Sequence, residues 1–177
     1  AGKWITNEQN TAIGNQALGG ATGSTQNPYS CTAIGDRALR LIEDGANFNT
    51  AVGADAGYSL TTGLFNTLIG QSAGAAMTTG RDNVCVGVDA GDDITSGEDN
   101  TIVGTFAGDK ITTGSNNIVI GNDAAASSAT VSNEITFGNS NVNHLRIPGI
   151  GVSFSAGGAV IAGVVTATSF SGSGASL

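Results

Sequence analysis

The chain has 177 residues and a formal net charge of −8, with 11% charged residues, 5% aromatic residues and 28 glycines. So many glycines and so few aromatic side chains exclude an ordinary packed globular domain. Its six Lys and Arg residues are scattered without forming a basic stripe, which argues against nucleic-acid binding.

Residues 1–9, AGKWITNEQ, precede the first repeat and contain the single Trp. An uncovered β-edge invites aggregation, so we interpret this segment, with Trp4 and Ile5, as an N-terminal cap. The alternative is that Trp4 contacts a receptor, because exposed aromatic side chains often serve in binding.

Two longer repeats follow, marked by Gly14 and Gly35. Their extra residues fall in the connecting segments, and insertions in solenoids form loops on one face that is often a binding face. The connection between these two repeats is therefore our candidate for a receptor-contact loop. Its contact residues are predicted to be Thr25, Gln26, Asn27 and Tyr29.

From residue 49 onward the repeat has a fixed length of 17 residues, as in NTLIGQSAGAAMTTGRD. A short fixed period with Gly and small polar residues at constant offsets is typical of stacked β-coils. Each repeat opens with Asn, and a Gly follows four residues later. These two structural columns are Asn49, Asn66, Asn83, Asn100, Asn117 and Gly53, Gly70, Gly87, Gly104, Gly121.

The sequence therefore predicts an all-β fold, a parallel β-solenoid or β-roll in which each repeat forms one coil. Val or Ile before the Gly gives each coil a short strand, and the Gly permits a corner with positive φ. The Asn side chains are expected to form a ladder in which each amide bonds to the next coil.

A coil this short buries few side chains, which we expect at the positions of Val52, Ala56 and Leu60. The position of Ala51 then points to the opposite face of the strand and is also apolar in successive coils. Sheets that are apolar on both faces are normally covered on both. The simplest cover is further copies of the chain about a symmetry axis, and a fibre of three parallel chains would provide it with identical contacts. The apolar column on this opposite face is Ala12, Ala33, Ala51, Leu68, Cys85, Ile102, Val119.

The repeat decays after Gly121 and closes at Gly138. We predict a cap at 1–9, a solenoid at 10–138, a short β neck at 139–151, and an uncharged β segment with a Ser/Gly-rich join at 152–177. The uncharged run is too rich in Gly, Ser and Thr for a membrane-spanning helix. The predicted coils are marked by Gly14, Gly35, Gly53, Gly70, Gly87, Gly104, Gly121 and Gly138.

No residues stand out for catalysis, cofactor binding or metal binding, so we expect neither an enzyme nor a cofactor. No Ser or Cys is paired with a base by spacing, and His144, the only histidine, is expected to pack between chains. Cys31 and Cys85 are expected to be free thiols, because the stack would hold them on the order of 14 Å apart. The acidic residues between Asp89 and Asp109 are expected to form a solvated face rather than a calcium site.

Adjacent hydroxyl residues, such as Thr61 and Thr62, recur in successive coils. A flat hydroxyl ladder is the array that ice-binding solenoids present. The favoured interpretation is a turn in which these hydroxyls bond to nearby backbone amides before the following Gly.

The elements NTAIG, NTAVG and NTLIG, followed by AG and TTG, resemble the repeats of tailed-bacteriophage fibre proteins, particularly those of marine and cyanobacterial phages. The closing NEITFGNSNVNHLRIPG and GVVTATSFSGSG resemble segments that often follow such repeats. NTAIG is also similar to the β-roll heads of bacterial trimeric autotransporter adhesins, whose coils are usually shorter. Both resemblances imply a homotrimeric β-fibre on a surface.

The function implied by the fibre resemblance is that of a structural virion segment, a rigid trimeric spacer and host-attachment module. Its partners would be copies of itself, other fibre or tail proteins and a host surface glycan, the glycan by family analogy alone. The implied location is the virion. The alternatives are a bacterial adhesin head on the cell surface and an ice-binding β-solenoid.

Overall fold

The computed structural model describes residues 9–20, 28–147, 152–155 and 158–161. Residues 1–8 of the predicted cap lie outside the described residues, as do the loop residues Thr25, Gln26 and Asn27. The chain divides into two compact units, residues 1–139 and residues 140–177.

The first unit is a parallel β-solenoid with one three-residue strand per coil. Its eight strands pair in sequence order, and each residue lies opposite its equivalent in the next coil, as Thr67 does opposite Val84. The predicted solenoid of 17-residue coils is thereby confirmed. The strands are β1 (Thr11–Ile13), β2 (Thr32–Ile34), β3 (Thr50–Val52), β4 (Thr67–Ile69), β5 (Val84–Val86), β6 (Thr101–Val103), β7 (Ile118–Ile120) and β8 (Ile135–Phe137).

Strands β2 to β7 bury their middle residue and turn their outer two residues outward, whereas the middle residues of the terminal strands β1 and β8 are half-buried. Ala51 is completely buried, whereas Thr50 and Val52 are only half-buried. The prediction that Val52 points inward was therefore wrong, and the face assigned to Ala51 was wrong with it. The buried Asn49 sets the phase, because strand residues alternate between faces from the Asn onward.

The rest of the interior comes from two further columns, and here the prediction is confirmed. Ala56 and Leu60 are completely buried, as are their equivalents in the next coils. Together with the middle strand residue they fill a narrow apolar core. The two columns are Ala56, Ala73, Ala90, Ala107 and Leu60, Met77, Ile94, Ile111.

A ladder of buried asparagines connects the coils. The side-chain oxygen of Asn83 accepts hydrogen bonds from the backbone N–H of Asn100 at 3.1 Å and from its side-chain amide at 3.0 Å. The Asn83 amide nitrogen in turn donates to Asn66 Oδ1 at 3.1 Å and to the Gly97 carbonyl at 2.8 Å. Each Asn thus ties its own coil to both neighbours, as the sequence predicted.

The first Gly of each coil forms the predicted corner. Gly70 has φ of +137°, and a Cβ added there would clash with the carbonyl group of Gly87 in the next coil. The corner backbones of adjacent coils therefore touch directly. Any larger residue would both strain the backbone and push the coils apart.

The second unit contains a three-stranded antiparallel sheet. Strand β10 (Val152–Ser155) lies between β9 (His144–Ile147) and β11 (Gly158–Ile161). The predicted β character of this region is present at these positions. The antiparallel pairing has no counterpart in the solenoid, whose strands are all parallel.

Replacing Asn83 by Ala should lower the free energy of unfolding by about 3 kcal/mol, because the change removes the side-chain partner of the Gly97 carbonyl and of the Asn100 backbone N–H, both in the buried ladder. Thermal unfolding followed by circular dichroism measures the loss. Thr79→Ala is the control, since Thr79 is exposed in the same coil stack and its loss should cost within about 0.5 kcal/mol. Equal melting temperatures for the two variants would contradict a supporting role for the ladder.

Candidate interaction surfaces

An apolar stripe runs along the outer face of the parallel sheet. It consists of the last residue of each strand, and Ile69 and Val103 keep 39% and 37% of their surface exposed. A second outward column, the first residue of each strand, is mostly Thr and lies beside it. We call the first column the Ile/Val stripe; it comprises Ile13, Ile34, Val52, Ile69, Val86, Val103, Ile120 and Phe137.

Three aromatic side chains form a second exposed feature, which we call the aromatic ladder. The rings of Phe48 and Phe65 stack with centroids 4.9 Å apart and planes 5° apart. Tyr29 meets Phe48 edge-on at 4.8 Å. Phe65, the last of the three, is 50% exposed.

The two phenylalanines of the ladder occupy a backbone conformation that disfavours them. The residue before each ladder Asn has positive φ, and φ is 59° at Phe48 and 58° at Phe65. Asp and Asn tolerate this conformation, whereas a bulky side chain is an outlier there. The remaining members of this column, from Tyr29's coil onward, are Ser30, Asp82, Asp99, Asn116 and Asn133.

A shallow hollow on another part of the coil stack contains a partly exposed ion pair and two carboxylates with one unsatisfied oxygen each. Arg37 Nη2 lies 2.6 Å from Asp55 Oδ2, and the Arg37 guanidinium carbon is 5.7 Å from the ring centre of Tyr58. Burial raises the pKa of Asp92, and the neighbouring Asp93 and Asp89 raise it further. One oxygen each of Asp55 and Asp92 is buried without a hydrogen bond.

This hollow does not have the donor set of a metal centre. Among the residues that the structure describes, no three His, Cys, Asp or Glu side chains are grouped so that they could hold a metal ion. His144, at the start of β9, is exposed and lies 3.1 Å from Asn143 Oδ1. The role predicted for His144 between chains stays a prediction.

The recurring threonines are used differently from the turn that the sequence predicted. The Thr61 hydroxyl donates to the Thr78 carbonyl of the next coil at 3.0 Å, and Thr78 repeats this bond to Thr95 at 3.1 Å. The prediction of local bonds to backbone amides was therefore wrong for this column. Coil stacking brings a carbonyl of the next coil within reach of each hydroxyl.

Of the four predicted contact residues in the receptor loop, only Tyr29 lies among the described residues, and it belongs to the aromatic ladder. The sequence reasoning missed Phe48 and Phe65. The available signal was their spacing of 17 residues in a column that otherwise holds Ser, Asp or Asn. Tyr29 was recognised, but its ring partners were not.

Comparison with known proteins adds no assignment. No family model matches the chain, and neither a curated protein nor a solved structure is similar to it. Within the described part of the chain, no helix is long and apolar enough to cross a membrane. The surfaces described above therefore carry the functional argument.

The two cysteines are buried free thiols. Burial raises the pKa of both, and raises that of Cys85 to about 12. Cys85 occupies the middle strand position, where the other coils carry Leu68, Ile102 or Val119. It acts there as a small apolar side chain.

The Cys85 thiol should make the folded state lose stability at high pH. The unfolded chain releases this proton near pH 9, whereas the folded chain holds it to about pH 12. Stability is therefore full below pH 9 and falls above it, by up to about 1.4 kcal/mol per pH unit. Cys85→Val, which keeps an apolar side chain, should remove this part of the slope. Identical pH profiles of melting temperature for both proteins would refute the assignment.

Proposed function

We propose that this chain is a non-enzymatic segment of a bacteriophage tail fibre, built as a homotrimer and serving as a rigid spacer with a role in host attachment. The observation that carries the proposal is the uncovered Ile/Val stripe, which extends over every described strand of the solenoid. The bacteriophage part of the proposal rests on the sequence resemblance alone.

The stripe supports self-association because of its regularity. Each coil adds an apolar side chain at the same position, with neighbouring coils about 4.8 Å apart. A second copy of the chain presents the same spacing, so the stripes of parallel copies match coil for coil around an axis. The number of copies, three, comes from the fibre resemblance.

The hydrogen bonding along the solenoid supports the spacer role. Each coil is tied to the next through the strand, the Asn ladder and corner bonds such as the Gly70 N–H to the Val52 carbonyl at 2.8 Å. Bending the stack would require breaking several of these bonds in one place. Strand β9 would belong to the neck proposed for residues 139–151, and β10 and β11 to the uncharged β segment that follows it in the chain.

The two alternatives share parts of this surface. A bacterial adhesin head would use the same trimeric coil packing on a cell surface. An ice-binding solenoid would act as a single chain through a flat hydroxyl face, but the hydroxyls of the Thr61 column already donate to carbonyls of adjacent coils. The oligomeric state separates the single-chain alternative from the other two.

Light scattering on the purified chain should give a mass of about three times 17.4 kDa. Ile69→Lys should lower this mass, because it places a charge from each copy in the apolar contact. Val88→Lys is the matched control, since Val88 is as exposed as Ile69, at 39%, but lies outside the strand. A stable wild-type monomer would contradict the trimer, and loss of the trimer in both variants would contradict the interface.

A further inference from the structure

Among the described residues, the aromatic ladder ends at Phe65, which has an aromatic partner on one side and is half exposed. Phe48 has Tyr29 on one side and Phe65 on the other. Phe65 has Phe48 on one side only, and it keeps 50% of its surface exposed. In the next coil the same column holds Asp82, whose short side chain cannot replace a third stacked ring.

The next position of the column therefore combines an open ring face with a carboxylate. Adjacent coils are about 4.8 Å apart, so a flat group stacked on Phe65 would lie directly beside Asp82. Asp99 continues the same column one coil further. We call this place the ladder end, defined by Phe65, Asp82 and Asp99.

The charges around the ladder end favour a cation. Arg81 lies close by, but its guanidinium is directed to Glu98, with Nη2 and Oε2 3.0 Å apart. The hydrogen bond and charge of Glu98 raise the pKa of Arg81 most, and the charges of Asp82 and Asp99 raise it further. Three carboxylates against one guanidinium leave a local excess of negative charge.

The backbone conformation at Phe48 and Phe65 favours residue types other than Phe. Positive φ is unfavourable for most non-Gly residues, and Asn or Asp would carry less of this cost at the same position. Strained conformations of this kind concentrate at binding sites. Phe65 also keeps half of its surface exposed, although its ring is stacked on Phe48.

The chain itself contains the arrangement that would fit. The guanidinium of Arg37 sits over the ring of Tyr58 and pairs with Asp55. A planar guanidinium stacks on an aromatic face and bonds a carboxylate with its edge, which an ammonium group cannot do equally well. The ladder end offers the same ring and carboxylate without the arginine.

We propose that the ladder end binds an arginine side chain of a partner protein, stacked on Phe65 and paired with Asp82. The site lies within one solenoid and requires neither the trimer nor the fibre role. A basic, arginine-containing segment of the partner fits the acidic character of this chain, with its net charge of −8.

The test is a titration with N-acetyl-triarginine amide, followed by calorimetry and by the backbone amide NMR signals of Phe65 and Asp82. Phe65→Asn and Asp82→Asn should each weaken binding roughly three- to tenfold, the range expected for losing a stacked cation or its carboxylate. Asn is accommodated at the same backbone position in Asn116, so both variants should fold. Their melting temperatures verify this.

Two controls separate stacking from general charge attraction. Phe106→Asn removes another exposed phenyl group at positive φ in a different column and should leave binding unchanged. The trilysine peptide carries the same charge and should bind several-fold more weakly. Equal binding of both peptides, with no effect of Phe65→Asn, would overturn the proposal.

A third titration, with glucose as a neutral sugar, tests whether the ladder end binds carbohydrate instead of arginine. No response at the Phe65 signals is the result that the proposal expects. A glucose response that disappears in Phe65→Asn, without any triarginine response, would overturn it in favour of a carbohydrate platform. Light scattering on the same samples reports the oligomeric state separately, so a failure of the trimer proposal would not be mistaken for a failure of this one.

Discussion

The buried asparagine in each coil is the interaction on which the rest of the solenoid depends. Its amide joins three coils, as Asn83 does with Asn66, Asn100 and the Gly97 carbonyl. A buried amide without partners is costly, so each Asn must face its equivalent in the next coil. This requirement fixes the register of the coils, and through strand alternation it decides which residues are inside.

The outward surface follows from that inward choice. With Asn49 and Ala51 inside, Thr50 and Val52 must point outward, so the larger apolar residue of the strand is the one left uncovered. The backbone bend before each Asn likewise directs Phe48 and Phe65 outward, where they stack in consecutive coils. The burial of one Asn in each coil therefore determines the position of both the Ile/Val stripe and the aromatic ladder.

The sequence was sufficient for the features that repeat. The period, the glycine corners and the Asn ladder could be predicted because each depends on one residue type at a constant offset. The outward direction of Val52 could not be predicted, because Ala51 and Val52 are both apolar. Only the burial of Asn49 decides which of the two lies inside. The ladder of Tyr29, Phe48 and Phe65 was missed because Tyr29 follows an insertion. The antiparallel strands β9 to β11 have no period from which pairing could be inferred.

The most direct test of this account is a comparison of two deletions. Removing residues 83–99 takes out one whole coil of 17 residues and joins Asn66 to Asn100 through the same ladder. Removing residues 84–101, one residue more, instead joins Asn83 directly to Ile102, so that Ile102 takes the outward first position of the strand and Val103 the buried middle position. Thermal unfolding should show a cooperative transition near the wild-type temperature for the first variant and a collapse of stability for the second. Equal stability of the two would contradict the account.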